Sequence, residues 1–253
     1  MISDAIRKKS PAVIPYITAG LPDIETTGKI IRSLTQAGAA AIEIGIPFSD
    51  PMADGPILQK ASCRAIKAGF DMDELLDNLN TWTASVDIPL IIMSYINPLM
   101  RKGLPETLKQ FNEKGVQGVI IPDMPSNGAE VFDLSTATGI DLIRLVAPTT
   151  TLERQKEVVS QCRGFVYAVS VKGVTGARKA LPEEVMRQVE TIKAMTDLPV
   201  CVGFGVSSAA QVKDLSDFAH GVIVGSYLMD KVMNALDPVA KAGEVLKLLT
   251  DVI

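Results

Sequence analysis

A chain of 253 residues that is 47% hydrophobic and 21% charged carries enough apolar surface to offset the entropy of ordering a large core, which excludes a disordered polypeptide. Its formal net charge of -4 at pH 7 lacks the basic excess that nucleic acid demands, although a few local donors suffice for a small anion. No apolar run approaches the roughly 18 residues that cross a bilayer, and the opening MISDAIRKKS holds no apolar secretion segment, so the expected location is the cytoplasm, away from any membrane.

Taken in chain order, short β-branched runs alternate with longer amphipathic segments. The stretch before Ala12 is short, with little room for a full helix. Eight runs rich in Val, Ile, Leu and Ala predict strands at residues 12–18, 40–45, 89–95, 118–122, 141–147, 164–170, 199–204 and 221–225. Their near-continuous hydrophobicity fits parallel strands buried on both faces. Helical periodicity predicts helices at 24–37, 72–84, 104–114, 152–162 and 182–195, with an extra helix at 59–68 between the second and third strands.

The helix ends are punctuated. Gly38, Gly69, Gly115 and Gly139 follow the last periodic residues, where a left-handed cap needs no Cβ. Asp71, Thr150 and Ser207 stand where an N-cap is expected, and Pro105 and Pro182 suit the first helical turn. Eight β-then-α alternations without a break in composition predict an α/β fold, a closed (β/α)8 TIM barrel forming one domain over residues 1–253.

Three cysteines, Cys63, Cys162 and Cys201, are odd in number, far apart and free of CxxC spacing, so neither a disulfide framework nor a metal site is expected and they read as small buried hydrophobes. The single histidine, His220, precedes the eighth strand and so faces the barrel bottom in a structural role. Acid–base work at the opposite mouth therefore falls to carboxylates or tyrosines.

In this fold functional side chains gather at the carboxyl ends of the strands. Glu43 interrupts an apolar strand, either as an acid/base raised by its surroundings or as one half of an ion pair. The following loop holds three prolines with Asp50 and Asp54, which read either as positioned catalytic groups or as helix caps. Turns at Gly173-Val174-Thr175-Gly176, Gly203-Phe204-Gly205 and Gly225-Ser226 follow strands six, seven and eight. Glycine there lets backbone amides approach an anion, and a short helix starting near Ser226 would point its positive end at it, which predicts a phosphate-bearing substrate. Tyr16, Tyr95 and Tyr167 lie near strand ends, able to wall a flat apolar substrate or simply to pack the core, while Trp82 sits on an outer helix.

The run Glu43-Ile44-Gly45-Ile46-Pro47-Phe48-Ser49-Asp50-Pro51-Met52-Ala53-Asp54-Gly55-Pro56 resembles the signature of the tryptophan synthase α-subunit family. The likeness extends to Ile14-Pro15-Tyr16-Ile17-Thr18-Ala19-Gly20, Pro122-Asp123-Met124-Pro125 and Gly173-Val174-Thr175-Gly176. It implies a carbon–carbon lyase of tryptophan biosynthesis that splits indole-3-glycerol phosphate into indole and glyceraldehyde 3-phosphate. Under that resemblance Glu43 is the acid/base at indole C3 and at the glycerol hydroxyl, and Asp54 accepts the indole N–H. Gly176, Gly205, Gly225 and Ser226 bind the phosphate. Tyr16, Met93, Tyr95, Tyr167, Thr175 and Ile223 line the indole pocket, and Thr175 orders Asp54 as the sixth loop closes.

The same resemblance implies no cofactor in this chain and a pyridoxal-phosphate β subunit as partner in an αββα heterotetramer, met through residues 48–51, Asn97-Pro98 and the sixth loop. That loop, with Arg178-Lys179-Ala180, looks shorter than in many members. Two other readings remain: a Schiff-base aldolase using Lys172, which borohydride trapping would reveal, and a barrel that only binds and activates a partner.

Overall fold

The computed structural model describes residues 1–124, 129–169, 183–203, 205–206 and 208–253. Pro125, Ser170, Lys172, Gly173, Val174, Thr175, Gly176, Arg178, Lys179, Ala180, Pro182, Phe204 and Ser207, on which several expectations fall, lie outside the described residues. Eight parallel strands close into a barrel in chain order: β1 (Ala12–Thr18), β2 (Ile42–Gly45), β3 (Leu90–Met93), β4 (Gly118–Ile120), β5 (Asp141–Val146), β6 (Val166–Val169), β7 (Val200–Gly203) and β8 (Gly221–Val224). Pairing of Ala12 with Gly221 and of Tyr16 with Glu43 ties β1 to both of its neighbours and completes the ring. Each expected run holds a strand, shorter by a few residues in most cases, so the closed (β/α)8 architecture read from the periodicity is the one observed.

The outer layer comprises α2 (Ile24–Gln36), α3 (Pro56–Lys67), α4 (Met72–Ala84), α5 (Ile96–Met100), α6 (Leu104–Glu113), α7 (Ala129–Thr138), α8 (Leu152–Ser160), α9 (Glu183–Lys193), α10 (Ala209–Ser216), α11 (Ser226–Met233) and α12 (Pro238–Thr250). Asp71 caps α4 by accepting from the amides of Asp73 and Glu74, as its position predicts. Two caps shift by one residue. Thr151, not Thr150, caps α8, because the Thr150 hydroxyl is taken by the amide of Ala147 at 3.2 Å. Ser208 caps α10 through the Gln211 amide. Gly38, Gly69, Gly115 and Gly139 all adopt positive φ, the left-handed conformation that ends the helices before them.

The amino terminus departs from expectation. Residues before Ala12 do form a helix, α1 (Ile2–Lys8), and although it has only two turns it closes the barrel bottom. Ile2 and Ile6, four apart and thus on one face, are completely buried. Glycine makes the room: a Cβ on Gly118 would sit 2.7 Å from the Ile2 Cδ1. Two apolar side chains thus suffice in a segment that looked too short for a full helix.

Cys63 corrects a second expectation, since it is exposed on α3 whereas Cys162 and Cys201 are buried. His220 takes the structural place foreseen for it. Its Nδ1 accepts from the Val200 amide at 3.0 Å, and burial with Lys193 and Arg7 nearby lowers its pKa. Among the described residues no helix is long and apolar enough to cross a membrane.

Candidate active site

At the carboxyl ends of the strands a cavity of about 580 Å³ opens, within the roughly 300–1,000 Å³ usual for small-molecule pockets. Glu43 reaches it from β2 and is 1% exposed; Asp54 reaches it from the loop between β2 and α3 and is 7% exposed. Tyr16, Met93, Tyr167 and Ile223 line the same space from β1, β3, β6 and β8. Gly205, Gly225 and Ser226 also line it, where α11 begins with Gly225 as its cap and no side-chain cap bond.

The tyrosines fit because the neighbouring strands end in glycine. Tyr16 pairs with Glu43, and its hydroxyl occupies the space that a Cβ on Gly45 would fill. Three strands around the ring the arrangement repeats, with Tyr167 lying over Gly203. Each phenol is thereby laid along the barrel mouth instead of projecting out of it.

Asp54 is held from several sides. Its amide donates to the Pro51 carbonyl at 3.1 Å, and the Gln59 side-chain amide on α3 donates to the Asp54 carbonyl at 2.9 Å. The hydroxyl of Tyr95 accepts from the amide of Ala53 at 2.9 Å, and the Tyr95 ring packs against Phe48 with centroids 5.3 Å apart. Upstream, the Phe48 amide donates to the buried Ser62 hydroxyl at 3.1 Å. Such anchoring fixes the carboxyl in place before any ligand arrives, so that little reorganisation is left for binding.

Despite that tethering, Glu43 Oε2 and Asp54 Oδ1 are buried with no hydrogen-bond partner among the described residues. Burial raises the Glu43 pKa to about 8, helped by the nearby Asp54 charge. Burial raises Asp54 to about 6, with a hydrogen bond from Tyr95 acting the other way. At neutral pH Glu43 therefore carries a proton and Asp54 a charge, an acid beside a carboxylate in one apolar chamber. Desolvation lifts the phenols of Tyr16, Tyr95 and Tyr167 far above neutrality, leaving them as neutral walls and hydrogen-bonding groups.

Comparison with known proteins narrows what such a chamber belongs to. The family described as tryptophan synthase alpha chain matches residues 2–251. The chain belongs to the tryptophan synthase alpha chain family. It is 43% identical over 239 residues to the tryptophan synthase alpha chain of Carboxydothermus hydrogenoformans, covering 94% of this chain and 90% of that one. The relative from Prochlorococcus marinus strain NATL1A is 42% identical over 231 residues, covering 90% and 87%. Among solved structures, tryptophan synthase subunit alpha from Legionella pneumophila superposes with a TM-score of 0.90 at 32% identity, covering 100% of this chain and 97% of that one. A chain of tryptophan synthase from M. tuberculosis superposes with a TM-score of 0.88 at 30% identity, covering 100% and 97%.

Most of the residues that the tryptophan synthase resemblance singles out converge on the cavity, namely Glu43, Asp54, Tyr16, Met93, Tyr167, Ile223, Gly205, Gly225 and Ser226. Tyr95 stands apart from the lining, behind the loop, where it holds Ala53 and Asp54. Thr175 and Gly176 lie outside the described residues. The sequence reading missed Leu58 and Gln59 on α3 and Tyr227, Asp230 and Lys231 on α11, all of which line the cavity. Their only signal was position: each lies within two turns of the start of a helix that follows a strand end.

Proposed function

We propose that this chain, as a member of the tryptophan synthase alpha chain family, splits indole-3-glycerol phosphate into indole and glyceraldehyde 3-phosphate with Glu43 and Asp54 as its catalytic residues. One observation carries the assignment of residues: two buried carboxyls face one apolar cavity, each with an oxygen that lacks a partner among the described residues. A buried polar atom left unpaired costs about 1–3 kcal/mol, and a site is where a bound ligand repays that cost.

The protonation states suit the chemistry in sequence. Neutral Glu43 gives its proton to indole C3, making that carbon tetrahedral and the ring cationic. Asp54, ionised, accepts the indole N–H and stabilises the charge in the transition state more than in the neutral substrate. The Glu43 carboxylate then takes the proton of the adjoining glycerol hydroxyl. As that oxygen forms a carbonyl, the carbon–carbon bond breaks and its electron pair returns to the ring, which leaves as aromatic indole while Glu43 is protonated again.

Tyr16, Met93, Tyr167 and Ile223 would wall the indole, and the amides of Gly205, Gly225 and Ser226 would hold the phosphate. Thr175 and Gly176 join this reading by resemblance alone. In it Tyr95 acts on the indole site through the loop it anchors. No step uses a cofactor in this chain. A β subunit carrying pyridoxal phosphate would receive the indole in an αββα assembly within the cytoplasm. Residues 48–51, Asn97, Pro98 and the sixth loop would meet it, a placement supported by the strongly exposed Met52 and Met100 on the same two βα connections.

Incubating the chain with indole-3-glycerol phosphate, with and without a β subunit, tests the reaction. Slow indole release that accelerates with the partner is expected. Glu43→Gln should abolish turnover while substrate binding persists, and Asp54→Asn should lower kcat by about 10²–10⁴-fold. Indole absent under both conditions overturns the activity, and near-normal turnover of Glu43→Gln overturns the residue assignment.

A further inference from the structure

The cavity is electrostatically lopsided. Glu43, Asp54 and Asp230 bring three carboxyl groups to its lining, whereas Lys231 is the one cationic side chain lining it among the described residues. A phosphate dianion entering such a chamber meets three acidic groups in its lining. Backbone amides donate hydrogen bonds but carry no net charge to offset those acids.

We infer that Lys231 is a phosphate-anchoring residue, binding the anionic tail of the substrate alongside the amides that begin α11. This rests on the reaction proposed above and adds to it a side chain with no part in that reading.

Helix geometry supports the placement. Lys231 is the sixth residue of α11, in its second turn, and side chains on a helix lean toward its N-terminus. A lysine stem leaning that way carries its ammonium toward Ser226 and Gly225, at the end of the cavity where the phosphate would bind. Its surroundings agree. The Nζ lies 5.8 Å from the centre of the Tyr227 ring and 3.7 Å from Asp230 Oδ2, and both of those residues line the cavity as well. The contact with Asp230 is longer than a hydrogen bond, so its geometry is that of a loose neighbour pair, able to turn to a dianion. Lysine suits this task because its three donors form a compact, rotatable charge. With the side chain 48% exposed, solvent screens the attraction, and its effect belongs in the range of a few-fold in affinity.

Lys231 binds ground state and transition state alike, since it sits at the end of the substrate remote from the breaking bond. Its loss should therefore appear in KM and leave kcat within about twofold of wild type. Lys231→Met should raise KM by about three- to tenfold and weaken glycerol 3-phosphate binding, measured by calorimetry, by a similar factor. Wild-type KM should climb between about 50 and 500 mM salt more steeply than that of the variant, because the screened charge has gone. Lys231→Arg should restore most of the loss, which a role confined to packing would not predict.

Equal KM, equal glycerol 3-phosphate affinity and equal salt dependence in wild type and Lys231→Met would overturn the anchor while leaving the lyase reading intact. A wild-type chain that neither releases indole nor binds glycerol 3-phosphate would instead overturn the reading on which the anchor rests.

Discussion

At the scale of single residues, Glu43 and Asp54 owe their opposite protonation states mainly to unequal burial. Because the desolvation of Glu43 is deeper and the Asp54 charge acts on it, Glu43 holds its proton to about pH 8 while Asp54 loses its own near pH 6. A reaction needing the first protonated and the second ionised should give a bell-shaped kcat/KM, rising through pH 6 and falling through pH 8. Asp54→Asn should remove the acidic limb from whatever activity survives; an unchanged limb would assign it to another group. Stability follows the same values. The folded Glu43 pKa lies above the ordinary value of 4.5, so its contribution is fully present below that pH and is lost as pH rises toward 8. With each pKa unit equivalent to about 1.4 kcal/mol, Glu43→Gln should gain on wild type by a few kcal/mol across that window. Urea melts at pH 5 and pH 8 measure the gain, and a constant difference between the two enzymes would refute the burial argument.

Elements show why some of this was legible in the sequence and some was not. The eight strands could be read because a parallel strand buried on both faces must be apolar throughout, and Glu43 could be read because a carboxylate in such a run needs a reason. Asp54 remained ambiguous from composition, as an aspartate before a helix is ordinarily a cap, and here Gly55 takes that position. Leu58, Gln59, Tyr227 and Lys231 were illegible because a polar or mixed helix surface looks the same whether it meets solvent or a substrate cavity. α1 and α5 are too short to declare a period, whereas α12 offered a full signal, with Asp237 accepting from the amides of Val239 and Ala240 and buried residues at 242, 245, 246 and 249. The packing of α2 on α4 was hidden as well. Gly28, in the middle of α2, has its Cβ position occupied by the buried indole of Trp82, with the Nε1 at 2.5 Å. Alanine normally favours a helix by about 1 kcal/mol over glycine, yet at this contact overpacking costs about 1–3 kcal/mol. Gly28→Ala should therefore leave stability unimproved or lower it, and Gly28→Ala combined with Trp82→Phe should recover part of any loss. A clear stabilisation by Gly28→Ala alone, seen as a raised Tm, would mean that the ring moves aside freely.

Across the whole molecule the barrel divides labour between its ends. The carboxyl ends of the strands carry polar oxygens without partners among the described residues, an open cavity and glycines that admit tyrosines. The amino ends are closed: Ile2 and Ile6 are fully buried, glycine at 118 lets Ile2 seat against the barrel, and His220 is spent on a backbone amide. In this fold the bottom face serves stability and the top face chemistry. Truncating the plug should then separate the two properties. Ile6→Ala deletes a wholly buried side chain and should cost about 2–5 kcal/mol, read as a lower urea midpoint with an unchanged m value. Its kcat and KM, measured at a temperature where the variant is fully folded, should match wild type, because Ile6 touches the barrel end farthest from Glu43. If turnover fell while the urea midpoint held, the bottom helix would be coupled to the site through the barrel and the division between the two ends would not stand.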